Sequence, residues 1–182
     1  MNNIQFEFQP ILKNEIVRLQ PLKADDFEIL YRIASDPLLW EQHPNKDRYK
    51  RDVFETFFRG AIESGGAYVV FDASTDKPIG SSRFYDFNPD DSSVSIGYTF
   101  VVRDHWGMTY NHALKSIMLD HAFRFVDKVI FHIGAVNIRS QKSIERLGAK
   151  KVEEREMEYF GEAKCLNYIY EIEKYDWIKR KP

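Results

Sequence analysis

VSIGYTFVV (Val94–Val102), followed directly by RDHWGMTYNHALK (Arg103–Lys115), joins the most regular alternation in the chain to a long helical pattern. Val94, Ile96, Tyr98, Phe100 and Val102 alternate with Ser95, Gly97, Thr99 and Val101, the period-two signature of a strand that puts the first set on one face. Tyr110, Leu114, Ile117, Met118, Ala122 and Phe125 then recur at helical spacing. A strand that runs through a glycine-containing loop into a helix has chemical meaning. The first four N–H groups of a helix lack intrahelical partners and, with the macrodipole, form an anion site suited to phosphate. Gly107 allows close approach of a ligand to the backbone, His105, Thr109 and Asn111 add side-chain donors, and Lys115 follows Asn111 at i,i+4 on the same side. One glycine between strand and helix is also what a plain tight turn needs, so the loop alone leaves both readings open.

Upstream of this segment, Glu15–Leu22 has strand composition. A helix follows from about Ala24, with Phe27, Leu30, Tyr31 and Ala34 on one face. Residues 36–46, with two prolines, read as a loop. Phe54, Phe57, Phe58, Ala61 and Ile62 give a second helix that stops at Gly65-Gly66, before a buried strand Ala67–Phe71 and another beginning at Pro78. Downstream come a strand Lys128–Val136, a short helix Asn137–Leu147, and two strands around Gly161. The tail KYDWIKRKP reads as surface. The order β-α-α-β-β-β-α-β-α-β-β, without repeat or linker, predicts one α/β (α+β) domain over 15–178.

Composition narrows the function classes. Lys plus Arg number 26 against 28 Asp plus Glu, so no overall field favours nucleic acid or an anionic membrane. No apolar run approaches the roughly 20 residues that span a bilayer. A single Cys165 cannot form an internal disulfide or a multi-cysteine metal cage, and MNNIQFEFQP lacks the layout of a signal peptide, which makes the cytoplasm the expected location. The dinucleotide fingerprint GxGxxG is missing after the first strand.

A second constellation, Asn137-Ile138-Arg139-Ser140, follows the strand Lys128–Val136. Asn137 is a good helix N-cap, which by itself needs no further role. Taken together and in this order, IGYTF-x5-WGMTYN-x3-K, the helix ending LDHAF, N-x-RS-x-KSIERLGAKK and the closing aromatic strand before YDW resemble the GNAT acetyltransferases. Within them, the branch similar to ribosomal-protein-alanine N-acetyltransferases is nearest. The resemblance spans Glu15 to Trp177. It implies a mixed, mostly antiparallel sheet of about seven strands flanked by about four helices, with a splayed central strand pair. It also implies acetyl-CoA as cosubstrate without a metal, and a primary amine as acceptor, either a small molecule or a peptide N-terminus. The protein would be a monomer or homodimer.

Carried over by position, the resemblance places Phe100, Val101 and Val102 against the pantetheine arm. His105, Trp106, Gly107, Met108, Thr109, Tyr110 and Asn111, with Lys115, fall around the pyrophosphate, and Asn137 and Ser140 on the far side of the arm. Arg139 assists or braces the loop. The chain departs from the pattern at Asp104 and Thr109, so Asp104 has to point outward or be compensated by Arg103. Ser95 stands where relatives often carry a glutamate base, and Ile144 where they carry a tyrosine acid. Tyr98, Ser95 and His132 are the replacement candidates for catalysis; Tyr85, Arg83, His43 and Trp40 are further ones, although a lone strand histidine is more often structural. Phe84 reads as core or wall, and His121 and Glu153-Glu154 read as solvated faces. Cys165 lies away from the cleft in sequence terms and reads as packing or surface. The empty acid and base positions leave a non-catalytic acyl-CoA-binding module as the alternative.

Overall fold

The computed structural model describes residues 5–180. Eight strands and five α-helices follow one another among the described residues: β1 (Leu12–Lys13), β2 (Val17–Pro21), α1 (Phe27–Ala34), α2 (Arg51–Glu63), β3 (Ala67–Asp72), β4 (Pro78–Asn88), β5 (Ser93–Val101), α3 (Met108–Ala122), β6 (Lys128–Gly134), α4 (Ile138–Arg146), β7 (Lys150–Met157), β8 (Cys165–Glu173) and α5 (Lys174–Arg180). They build one sheet in the order β1-β2-β3-β4-β5-β6-β8-β7. Every pairing is antiparallel except β5 with β6, which α3 connects as a crossover.

Two apolar layers sandwich the sheet. On one side α3, α4 and α5 bury Leu114, Met118, Leu119, Ile144 and Trp177 against Val94, Ile96, Val129 and Phe131. On the other, α1 and α2 bury Leu30, Ala34, Phe54, Phe57 and Phe58 against Ala67, Val69 and Phe100. Burying each of these phenylalanines contributes roughly 1.5–3 kcal/mol. The helical periodicity of Phe54 to Ala61 therefore fixes α2 on the sheet, while Ile62, counted with that face in sequence, is 38% exposed.

The central strand departs from its expected alternation. Arg83 pairs with Gly97 and Ser81 with Phe100, so three steps on β5 match two on β4, and Tyr98 in the bulge has φ +52°. Positive φ is uncommon outside glycine. The bulge reverses the phase of the strand: Val94 and Ile96 face α3, but Tyr98 and Phe100 pack on the α1–α2 side. Residue types alone cannot show that, because a bulge adds one residue without changing the apolar pattern on either side.

The chain ends also differ from expectation. The segment from Lys174 folds as α5, where Trp177 is buried and its indole donates to Asp120 at 2.7 Å. His121, expected on a solvated face, is 3% exposed beneath Phe6 and bonds through Nε2 to the Glu7 carbonyl at 2.7 Å. Phe6 closes this layer from the N-terminal side against Phe84 and Phe125. Glu153 and Glu154 are exposed as expected. The sheet also has one strand and the fold one helix beyond the expected numbers, β1 and α5, both short.

Candidate active site

The β5–β6 ladder holds for only three pairs, Ser93 with Lys128, Val94 with Val129 and Ser95 with Ile130. Beyond them the strands part, and the edges Gly97–Val101 and His132–Gly134 line a cavity of about 340 Å³. Helices α3 and α4 supply Asn111, Lys115, Asn137, Ser140, Ser143 and Ile144 to its wall. The α1–α2 loop closes the opposite side with Trp40, His43, Pro44 and Arg48, and the β7–β8 connection adds Tyr159 and Glu162. Pro44 rests directly on Gly134, where any Cβ would come within 2.2 Å of its ring.

At one end of this cavity the loop between β5 and α3 makes a 3-10 turn over Arg103–His105 and reaches α3 through Gly107. Gly107 has φ +129° and open space around a Cβ, so it is the backbone conformation, not crowding, that calls for glycine. The loop leaves room for a ligand over the start of the helix. His105 lines the cavity, with Nε2 3.5 Å from an Asp72 carboxylate oxygen and Nδ1 buried without a hydrogen-bond partner among the described residues. The Trp106 indole donates to the Val101 carbonyl at 2.9 Å, and the Arg139 guanidinium lies 3.7 Å from the Trp106 ring, bridging loop and α4. Arg103 pairs with Asp36 at 2.5 Å, while Asp104 is exposed and stays out of the cavity wall.

Of the residues assigned to the coenzyme by resemblance, Phe100, Val101, His105, Trp106, Gly107, Asn111, Lys115, Asn137 and Ser140 line the cavity. Val102, Thr109 and Tyr110 do not. The Val102 amide donates to Ile79 at 2.8 Å, Thr109 is exposed, and the Tyr110 hydroxyl donates to Asp72 at 2.6 Å. The Met108 side chain lies outside the described part of the structure. Asn137 is the N-cap of α4, its side chain accepting from the Ser140 amide at 3.2 Å, and the Gln42 side chain accepts from the Arg139 amide at 3.1 Å. Asn111 donates to the Ser143 hydroxyl, tying α3 to α4. Lys115, grouped in sequence with the phosphate donors, instead reaches down to the splay and donates to Thr99 Oγ1 at 2.5 Å.

The other end is assembled from side chains. The Tyr85 hydroxyl lies 3.1 Å from His132 Nδ1, the Tyr85 and Tyr98 rings are 5.1 Å apart, and Tyr159 packs edge-on to Tyr98. The Arg83 guanidinium sits 3.9 Å above the Tyr98 ring and donates to the Gly60 carbonyl; its own atoms stay outside the cavity lining. Arg48, under the Phe57 and Trp40 rings, pairs with Glu162 at 2.6 Å, and both side chains are almost fully buried. Burial pushes the Tyr85, Tyr98 and Tyr159 hydroxyls up, so they stay protonated at neutral pH. It pulls His43 and His132 below the ordinary histidine value, so both stay neutral.

Tyr98 and His132 therefore meet in the cavity, whereas Ser95 is 1% exposed in the closed part of the ladder and does not line it. Cys165, placed away from the cleft in sequence terms, contributes to the wall, with Sγ 3.4 Å from Asn167 Nδ2. Arg48, Tyr159, Glu162 and Asn167 carried no sequence signal. The Arg48–Glu162 pair joins segments 114 residues apart, and nothing local to either residue marks it.

Among the described residues no helix is long and apolar enough to cross a membrane, and no cluster of histidine, cysteine and carboxylate side chains could hold a metal ion. No curated protein matches the chain at a significant level. Solved structures share the fold. A GCN5-related N-acetyltransferase from Brucella melitensis superposes with TM-score 0.81 at 16% identity, over 96% of this chain and 83% of that one. A probable acetyltransferase of the GNAT family from Chromobacterium violaceum gives TM-score 0.79 at 18% identity, over 98% and 94%. A spermidine N-acetyltransferase from Vibrio cholerae, solved with CoA and spermine, gives 0.68 at 17%, over 91% and 99%. The family model described as "Acetyltransferase (GNAT) domain" matches residues 17–150, from β2 through the splayed strands and α4, and the chain accordingly belongs to the GNAT acetyltransferase family.

Proposed function

We propose that this protein transfers an acetyl group from acetyl-CoA to a primary amine, a small molecule or a peptide N-terminus, by direct attack within a ternary complex. The observation that carries the reading is the splay of β5 from β6 beside a glycine loop that opens onto the start of α3. Phe100 and Val101 lie where β5 has parted from β6, and an extended pantetheine arm would run along that edge, beside a Val101 carbonyl that already accepts from the Trp106 indole. The His105 and Trp106 amides are spent on Val102 and Arg103 within the 3-10 turn, so it is Gly107 and the first turn of α3 that offer N–H groups to a pyrophosphate. Ser140 and Asn111 flank the arm from α4 and α3. The relative solved with spermine acts on a polyamine, which supports an amine as acceptor here.

The chemistry asks the chain to align an amine with the thioester, take a proton from it and stabilise the leaving thiolate. His132 is the residue best placed for the first proton. In the tautomer whose Nδ1–H donates to the Tyr85 hydroxyl, Nε2 carries the lone pair that would take the proton, and burial keeps the ring neutral. Tyr98 borders the same space and shapes it. No covalent intermediate on the enzyme is required, and the reaction belongs in the cytoplasm, where acetyl-CoA and free amines occur together.

Calorimetric titration with acetyl-CoA, followed by assay of thiol release against a panel of polyamines, small primary amines and peptide N-termini, tests this reading. Binding together with turnover on at least one amine is expected. Binding without turnover across the panel would instead make the protein an acyl-CoA-binding module, and absence of binding would refute both.

A further inference from the structure

Lys115 stands apart from the phosphate donors that precede it on α3. It lies about two turns below Gly107, or about 12 Å at 1.5 Å per residue, on the scale of a pantetheine arm between its pyrophosphate and its sulfur. The side chain is 4% exposed and lines the cavity at the splay, where Nζ donates to Thr99 Oγ1 at 2.5 Å. Thr99 follows Tyr98 in the β5 bulge, and its hydroxyl lies 2.8 Å from Ser82 Oγ. Across the V, the Phe131 ring is 5.7 Å from Nζ, and Ile144, which has no proton to give, fills the neighbouring stretch of α4.

An ammonium enclosed in this way is costly unless an anion joins it. Among the described residues none does, and burial pulls Lys115 down to about 7. One of its three N–H bonds is taken by Thr99. The remaining donors belong to the part of the cavity where β5 and β6 begin to separate. Tyr98 has its ring under Arg83 on the α1–α2 side of the sheet, the side opposite α3.

We infer that Lys115 is the general acid of the transfer, giving its proton to the sulfur that leaves the acetyl group. The inference rests on the acetyl-CoA reading above. In the step, the amine lone pair forms the new C–N bond to the acyl carbon, and the C–S bond breaks with its electron pair going to sulfur. Lys115 Nζ–H protonates that sulfur, releasing CoA as the thiol and leaving a neutral lysine. The proton shed by the amine goes to His132 and returns to Lys115 through cleft water, so the sum is amine plus thioester giving amide plus thiol.

The experiment titrates the thiol of CoA bound to the wild-type protein, followed by the ultraviolet absorbance of the thiolate, and repeats it on Lys115→Met. Bound to the wild type, the thiol should ionise at least about one pH unit lower than in free CoA, as expected beside an opposite charge, and in the variant the shift should vanish. Turnover of acetyl-CoA by the variant should fall by roughly 10²–10⁴-fold. Turnover of acetyl 4-nitrothiophenol thioester, whose thiol leaves as a stable anion, should fall only a few-fold. A wild-type shift of zero with CoA bound, or equal losses with both donors, overturns the assignment of Lys115 and leaves the acetyl-CoA reading standing. No CoA binding overturns both. Since the wild-type titration alone can decide, a poorly folded variant does not protect the inference.

Discussion

The two ends of the cavity are built in different ways. The end proposed for the coenzyme is nearly one continuous piece of chain, β5 through its loop into α3, with a single return at α4, and much of what it offers is backbone: a strand edge parted from β6, a glycine loop and a helix start. The end proposed for the acceptor is made of side chains from the α1–α2 loop, β4, β6 and the β7–β8 connection, held by contacts such as Arg48–Glu162 and Tyr85–His132 that span 114 and 47 residues. A ligand gripped by backbone tolerates many side chains around it, whereas an acceptor recognised by side chains can change with a few substitutions. The first end should thus fail through backbone conformation and the second through individual groups.

The largest effect is expected where one group does chemistry. His132→Gln should lower kcat by roughly 10²–10⁴-fold, the usual range for loss of a general base, while the Kd for CoA stays within a factor of about two because the coenzyme end is untouched. Steady-state kinetics and calorimetry measure the two. A variant with unchanged kcat would remove His132 from the mechanism; one with weakened CoA binding would blur the separation of the two ends.

Next in size is the ion pair that pins the β7–β8 connection. Arg48 and Glu162 have side-chain exposures of 4% and 10%. Glu162→Ala therefore strands a buried guanidinium and should destabilise by about 3–5 kcal/mol in urea unfolding. Arg48→Met combined with Glu162→Leu removes both charges and should recover most of that loss. Equal destabilisation in the double variant would show that packing, not charge, holds the loop.

A smaller loss is expected at the other end, and for a different reason. Gly107→Val meets open space but forces a β-branched residue to φ +129°, a strain of about 1–3 kcal/mol. The chain can relieve it by tilting the loop. CoA affinity should then fall about tenfold or more while urea stability changes little, because Gly107 itself is exposed and a Cβ there meets nothing within 4 Å. An unchanged Kd would detach this loop from the coenzyme.

How far each end could be read from sequence follows the same division. The alternation of Val94 to Val102, Gly107 and the capping Asn137 are local signals, so the strand, the loop and the helix start were legible together. The bulge at Tyr98 was not, because it depends on β4 pairing two residues against three. It alone decides that Tyr98 faces the acceptor side and Lys115 meets Thr99. His121 was misread for a related reason: the helical face it occupies is covered by Phe6, from a polar stretch with little periodicity of its own. Trp177 met Asp120 across 57 residues, and Glu162 met Arg48 across 114, distances over which residue types give no hint of pairing.

The smallest expected effect extends the comparison to the whole molecule through pH. Burial lowers the folded-state pKa of His43, His121 and His132, the first strongly, so the unfolded chain takes up protons that the folded one refuses. For groups of this sign stability is full above the unfolded value, 6.5, and is lost as pH falls through and below it. The unfolding free energy should therefore decline between pH 7 and about pH 5, steepest at the acid end of that window, where the histidines are protonated in the unfolded chain and still neutral in the folded one. His121 lies outside the cavity lining, so His121→Phe separates this effect from catalysis. It keeps the aromatic packing with Phe6, Phe84 and Phe125 and gives up the bond to Glu7, at a cost of about 1 kcal/mol near neutrality. It should also make the acid slope shallower by about one proton. If urea unfolding across this range shows the same slope in wild type and variant, His121 is protonated in the folded state and its burial does not hold it neutral.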